Sequence, residues 1–321
     1  MRARPKSPYA GLLFPAGLVV AAVVVLLPSL HEQQFGGSFW LLVLAFWLVA
    51  WQLTARLAAL APPQPVMARL LDVAVPAAFG LTLLFLWECV VRGLSVPSVL
   101  LPPPSAIGVR IAASLPLLWA DFAQTFLKAV IAGYVIGCGT GFLAALLIDR
   151  SPFLKRGFMP VGNLVSALPI VGVAPVMVMW FGFDWPSKAA VVVVMTFFPM
   201  LVNTLAGLSA AGAMERDLMR TYAAGHVTTL AKLRLPAALP FVFNALKINS
   251  TLALIGAIVA EFFGTPIVGM GFRISAEMGR MNTDMVWAEI AVAALAGSVS
   301  YGLISLVERA STFWHPSYRR R

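Results

Sequence analysis

Long apolar runs alternate with short polar, proline-bearing or arginine-bearing breaks along the whole chain. Eight runs stand out, at residues 9–30, 38–55, 73–91, 126–148, 164–183, 189–208, 241–263 and 285–307. Each is close to the roughly 20 residues that a helix needs to cross the hydrocarbon layer of a bilayer. None shows the alternation of period two that marks a barrel strand. Lipid offers no partners for backbone N–H and C=O groups, so the runs are expected as helices. The pattern predicts an all-α, polytopic membrane helix bundle of about eight transmembrane helices.

Composition agrees. Of 321 residues, 60% are hydrophobic and 11% charged, where a soluble domain carries about 25% charged residues. An ordinary soluble enzyme and a disordered chain are both excluded. The net charge of +10 raises the question of nucleic acid. The basic residues, however, lie mostly between the apolar runs. With the N-terminus placed inside, 17 of the 23 fall on the inner side. The other six, Arg92, Arg110, Lys128, Lys188, Arg273 and Arg280, fall outside. By the positive-inside rule both termini are cytoplasmic, and the basic excess is accounted for by the bilayer rather than by nucleic acid. The N-terminal run is longer than a signal-peptide core and lacks a small-residue cleavage pattern, so it is expected as an uncleaved anchor. Cys89 and Cys138 lie singly in apolar runs and read as packed thiols, with no spacing for a metal or disulfide framework.

Prolines divide the chain. Ala61-Pro62-Pro63-Gln64-Pro65 separates residues 1–65, two extra N-terminal spans with a linker, from 66–321. A second break, Leu101-Pro102-Pro103-Pro104-Ser105, precedes a mildly amphipathic stretch at 107–115 suited to the membrane surface. Within the spans, Glu88, Glu261 and Glu289 are candidates because intramembrane carboxylates are costly. Pro169 and Pro175 break the fifth span and Pro199 the sixth. With Gly172 and Gly182, the fifth becomes the best candidate to line a path. Asn249 either bonds across helices or faces that path, and Lys247 is expected to snorkel.

The inner loop 209–240 is long and mixed in polarity. Residues 217–224 favour one short helix, Gly225 a turn, and 228–235 a second helix before Pro236. Leu218, Met219 and Tyr222 recur at helical spacing and form an apolar face inside a charged surround. Such a face suits docking into a groove on another protein.

At this point the sequence resembles a known family. Asp217-Leu218-Met219-Arg220-Thr221-Tyr222-Ala223-Ala224-Gly225, followed by Leu235-Pro236, is similar to the "EAA" loop of permease subunits from binding-protein-dependent ABC importers. Counted back from Pro236, Asp217 stands at the family's Glu and Ala223 at its usual Gly. Leu101–Ser105, Ala167-Leu168-Pro169-Ile170-Val171-Gly172-Val173-Ala174-Pro175 with Trp180-Phe181-Gly182, Phe198-Pro199 with Val202-Asn203-Thr204, and Ala257-Ile258-Val259-Ala260-Glu261 are similar to the nitrate/sulfonate/taurine-type subfamily. The first two spans lie outside that pattern.

The resemblance implies a type I importer permease core, a bacterial-type inner (plasma) membrane location and no catalytic site or cofactor of the chain's own. It implies three partners: cytoplasmic ABC ATPase subunits that receive the loop as a coupling helix, an external solute-binding protein, and a second permease subunit, expected as a homodimer. Glu261 is then a candidate outer gate. Consistent with a partner ATPase, the chain has no Gly-Lys dipeptide and so no Walker A loop. The rival from another class is a proton-coupled secondary transporter using Glu88, Glu261 or Glu289; such proteins often show related halves, which are not found. An intramembrane enzyme is disfavoured, since neither His-Glu-x-x-His nor an Asp-rich motif occurs.

Overall fold

The computed structural model describes residues 36–60, 64–166, 169–264 and 267–314, with scattered positions between 16 and 26. All regular structure among the described residues is helical. Helix α1 is Gly37–Ala58, α2 Pro65–Gly93 and α3 Pro104–Ala113. Helix α4, Leu115–Phe122, runs through a π-helical segment, Ala123–Val130, into α5, Ile131–Asp149. Then come α6 (Pro152–Ser166), α7 (Ile170–Phe181), α8 (Trp185–Ser209) and α9 (Ala213–Thr221). Helix α10, His226–Thr229, passes through a second π segment, Leu230–Arg234, into α11, Leu235–Glu261. Helices α12 (Met270–Gly279) and α13 (Thr283–Ser311) are the last among the described residues.

Six helical stretches among the described residues are long and apolar enough to cross a membrane. They are Gly37–Ala58, Val66–Gly93, Leu115–Asp149, Trp185–Ser209, His226–Glu261 and Thr283–Ser311. Most of the run at 9–30, residues 61–63 and both chain ends lie outside the described residues. The expected fifth span, 164–183, is not a single helix. Pro169 is extended (ψ 121°) and caps α7, which has 12 residues. At 1.5 Å per residue that is too short for a hydrocarbon layer of about 30 Å. By contrast, Pro199 leaves α8 continuous. The stretch expected at 107–115 is α3, which starts at Pro104.

The chain divides into two compact units, residues up to 113 with 282–287, and 114–281 with 288 onward. In the first, Phe39, Val43, Phe46 and Ala50 line one face of α1 at helical spacing and pack with Leu26 and Cys89. Glu88 is a connector there. It accepts from the Ser105 N–H at 2.9 Å and the Ser105 hydroxyl at 2.7 Å, and pairs with Arg92. It thereby satisfies an N-terminal amide of α3 that the helix itself cannot.

In the second unit, Gly133, Gly137 and Gly141 recur every four residues on α5. A Cβ on Gly137 would overlap the Thr196 hydroxyl, and one on Gly141 the Phe197 carbonyl. Small residues at that spacing let α5 and α8 approach closely, the usual basis of helix association in lipid. Helix α11 meets α8 the same way, with Gly207 against Ala238 and Phe241. Val130, Val192, Ala253, Leu254, Ala257 and Met270 fill the space beyond.

Candidate functional site

Helix α9 has no buried residue. Met214, Leu218 and Tyr222, four apart, form one apolar stripe exposed by 85%, 54% and 76%. Met219 is half-buried beside it. Asp217 makes only an exposed pair with Arg220 at 3.2 Å, of the kind that contributes little. The helix begins at Ala213, four residues before the expected start.

Its end differs from expectation in an informative way. Gly225 has an ordinary extended conformation (φ −64°) and caps α10. The turn is made by Ala223, at φ 52°. The Ala224 N–H bonds to the Met219 carbonyl and the Ala223 N–H to the Arg220 carbonyl, both at 2.9 Å. This is a Schellman turn, whose left-handed position glycine usually takes. The second short helix expected at 228–235 is not separate. Leu235 and Pro236 follow the π segment Leu230–Arg234 directly, and that widened turn sits where the proline, lacking an N–H, cannot continue the ordinary ladder. Helix runs unbroken over 36 residues from His226 to Glu261.

Where that helix meets the other spans, Arg234 forks onto Asp149. Its Nη1 lies 2.6 Å from Asp149 Oδ2 and its Nη2 2.8 Å from Oδ1, and Nε donates to the Leu208 carbonyl at 3.0 Å. Asp149 ends α5 and Leu208 lies one residue from the end of α8.

At the opposite end of the helix, Glu261 is buried in a polar cluster. The Thr125 hydroxyl donates to its Oε1 and the Gly271 N–H to its Oε2, both at 2.7 Å. Gly269 (φ 140°) has room for no Cβ beside that carboxylate. Asp121 accepts from the Gly269 N–H at 2.7 Å and from Arg273 at 2.8 Å. Lys188, buried, donates to the carbonyls of Phe183 and Gly264. The cluster therefore ties four elements to the turn between α11 and α12. Beside it, the Trp185 N–H and then the Gln124 amide hold the Asp184 carboxyl below the usual carboxylate range.

The remaining candidates are dispersed. Asn249 is buried, with Nδ2 2.8 Å from the Thr196 carbonyl and 3.2 Å from Cys138 Sγ. Lys247 pairs with Glu308 at 2.7 Å. Glu289 is fully buried. Pro169 caps α7, Gly172 lies in its first turn with open space about it, and Pro175 is inside it. Asp121, Thr125, Lys188, Arg273 and Arg234 were missed as site residues. Intramembrane charge flags some of them, but nothing in the sequence names their partners.

The geometry is that of a long helix with an exposed apolar handle at one end and a polar clasp at the other. Residues 137–312 match the model of the family described as binding-protein-dependent transport system inner membrane component. That match covers more than half of the chain. The chain belongs to this family. A formylaminopyrimidine transport permease of Halalkalibacterium halodurans is 30% identical over 74% of this chain and 95% of its own. A probable ABC transporter permease of Haemophilus influenzae is 30% identical, over 65% and 85%. The taurine transport system permease of Escherichia coli is 27% identical over 87% and 88%.

The protein is thus a permease subunit of an ABC transport system for small solutes, a multi-pass component of the bacterial inner membrane. An ABC ATPase and a solute-binding protein are the partners that permease membership implies. The role is that of a transport permease, which points away from an enzyme.

Proposed function

We propose that α9 is the coupling helix of this permease, and that its apolar stripe seats in a cleft of a cytoplasmic ABC ATPase. The observation that carries this reading is the exposure of Met214, Leu218 and Tyr222 on a helix with no buried residue. Such a row in water is offset by a complementary groove. Asp217 and Arg220 rim it, Met219 packs behind it, and the turn at Ala223, Ala224 and Gly225 sets its angle to the helix that begins there. Leu235 and Pro236 mark where that helix continues as α11. ATP-driven closure of the ATPase dimer moves α9, and the bundle passes between two packed arrangements.

Pro169, Gly172 and Pro175 on α7 are proposed to line the path, since Met179, Trp180 and Phe181 of the same helix are exposed. A second copy of the chain is proposed to complete that path, with 66–321 as the permease domain and 1–65 as an addition to it. Asn249 braces three helices behind the path, and Glu261 holds the outer turn that gates it. The solute is proposed to be a small polar molecule of the kind named for the taurine and formylaminopyrimidine relatives, delivered by the binding protein.

The test is Tyr222→Asp or Leu218→Asp. Co-purification with the ATPase is lost while thermal unfolding of the permease is unchanged. Unaltered co-purification and ATP turnover would remove the docking face.

A further inference from the structure

We infer that Arg234 is the positioning residue that converts movement of the coupling helix into movement of the spans. Asp149 and Leu208 are its two anchor points. The inference rests on the proposed docking of α9 and deepens it.

Between Ala213 and Arg234 the described structure has no buried residue in α9, α10 or the π segment. A push delivered to α9 therefore meets little resistance from packing until it reaches the membrane-facing end of the loop. Arg234 is that end. It is the last residue of a five-residue π segment. Such segments are rare and are frequent at functional sites. Left alone, this wide turn is where a lever bends.

The guanidinium prevents that by engaging all three of its nitrogens. Two parallel bonds hold the Asp149 carboxylate, and the third holds the Leu208 carbonyl. The fork is planar and fixes orientation as well as distance. Its partners are not arbitrary. Asp149 is a buried carboxylate at the C-terminus of α5, where the helix dipole disfavours it. Leu208 supplies one of the carbonyls at the end of α8 that have no acceptor role within the helix. Arg234 relieves both.

Helices α5 and α8 are locked to each other by the Gly133–Gly137–Gly141 approach. Clamping the lever to both ends makes three spans respond as one body. From His226 to Glu261 the lever is about 54 Å long at 1.5 Å per residue. A displacement at its foot then reaches the Glu261 clasp at its far end.

The experiment uses the full transporter, permease with its ATPase and binding protein, in liposomes. ATP turnover and uptake of radiolabelled taurine or formylaminopyrimidine, whichever the binding protein retains, are measured on the same preparation. Arg234→Gln is expected to co-purify with the ATPase, and to unfold at a lower temperature than wild type because the buried Asp149 carboxylate loses its charged partner. Its solute moved per ATP falls at least tenfold, and stimulation of ATP turnover by loaded binding protein disappears. Asp149→Asn behaves alike. Arg234→Lys keeps the charge but cannot span both anchors, and its ratio falls severalfold.

A wild-type ratio in assembled Arg234→Gln overturns the inference. If that variant fails to assemble, Arg234→Lys decides: a wild-type ratio overturns the inference and a lowered one supports it. Loss of assembly in both variants also overturns it, leaving a purely structural tie. Failure of the wild-type permease to bind the ATPase sinks the docking reading instead, and is seen before any Arg234 variant is made.

Discussion

The hydroxyl of Thr125 donates to Glu261 at 2.7 Å while it accepts the Met270 N–H at 2.8 Å. One small side chain thus relays between a carboxylate at the end of α11 and the first residue of α12. Glu261 receives a second donor, the Gly271 N–H, on its other oxygen. Both carboxylate oxygens act as acceptors. In Glu261→Gln the amide –NH2 is forced against one of those donors, at a cost of about 1–3 kcal/mol for the unsatisfied group. Uptake is expected to fall more than the yield of assembled transporter, because the loosened element is the outer turn and the packing of α11 is untouched. Uptake assays beside quantified membrane assembly check this. Normal uptake would remove Glu261 from the gate.

Ala223 offers a test in the opposite direction. It adopts φ 52° at the position of a Schellman turn, a conformation costing an L-residue roughly 1–2 kcal/mol. Ala223→Gly relieves that strain and adds freedom to the unfolded chain, worth about 0.4–1 kcal/mol the other way. The net expectation is a turn stabilised by about 0–1.6 kcal/mol. Ala223→Val, being β-branched, does the reverse. Hydrogen exchange at the Ala224 amide, bonded to the Met219 carbonyl, reports it: slower in the glycine variant, faster in the valine one.

That turn shows what was legible in the sequence and what was not. Apolar runs of bilayer length locate spans because length and hydropathy are local properties, so α1, α2, α8 and the part of α11 from residue 241 onward were foreseen. The resemblance also marked Ala223 as standing where a glycine is usual. Composition then suggested that the nearby Gly225 supplies the turn. The position decided instead, and alanine takes the left-handed conformation. Local reading likewise stopped a helix at Pro236, although the helix passes through it by way of the π segment Leu230–Arg234. It made one span of 164–183, where Pro169 caps a 12-residue helix. The clasp around Glu261 and the fork on Asp149 were out of reach for a different reason. Their partners lie 136 and 85 residues apart in sequence, and periodicity carries no information across such separations.

Met214 extends the apolar stripe one turn beyond the residues that sequence spacing picked out. It is 85% exposed, more than either Leu218 or Tyr222. Met214→Asp therefore removes no packing within the permease, and a surface change of this sort alters stability by less than about 0.5 kcal/mol. It does place a charge in the proposed groove contact. Retention of the ATPase on the permease is expected to weaken at least tenfold, with an unchanged unfolding temperature. If binding is unaffected, the contact ends at Leu218.

Glu289 separates this permease from a proton-driven carrier. It is fully buried on α13, against the Asp121 carboxylate. Asp121, Arg273 and Glu261 are its charged neighbours. A carrier that moves protons through such a residue loses transport when the carboxyl becomes an amide. A permease moved by an ATPase requires no titration there, and Gln has nearly the same shape. Glu289→Gln is expected to keep ATP-dependent uptake within about twofold of wild type. The decisive measurement is uptake into liposomes under either ATP with the partner subunits or a proton gradient alone. Uptake driven by the gradient alone and abolished by Glu289→Gln would make Glu289 a proton carrier and leave α9 without a role in energising transport.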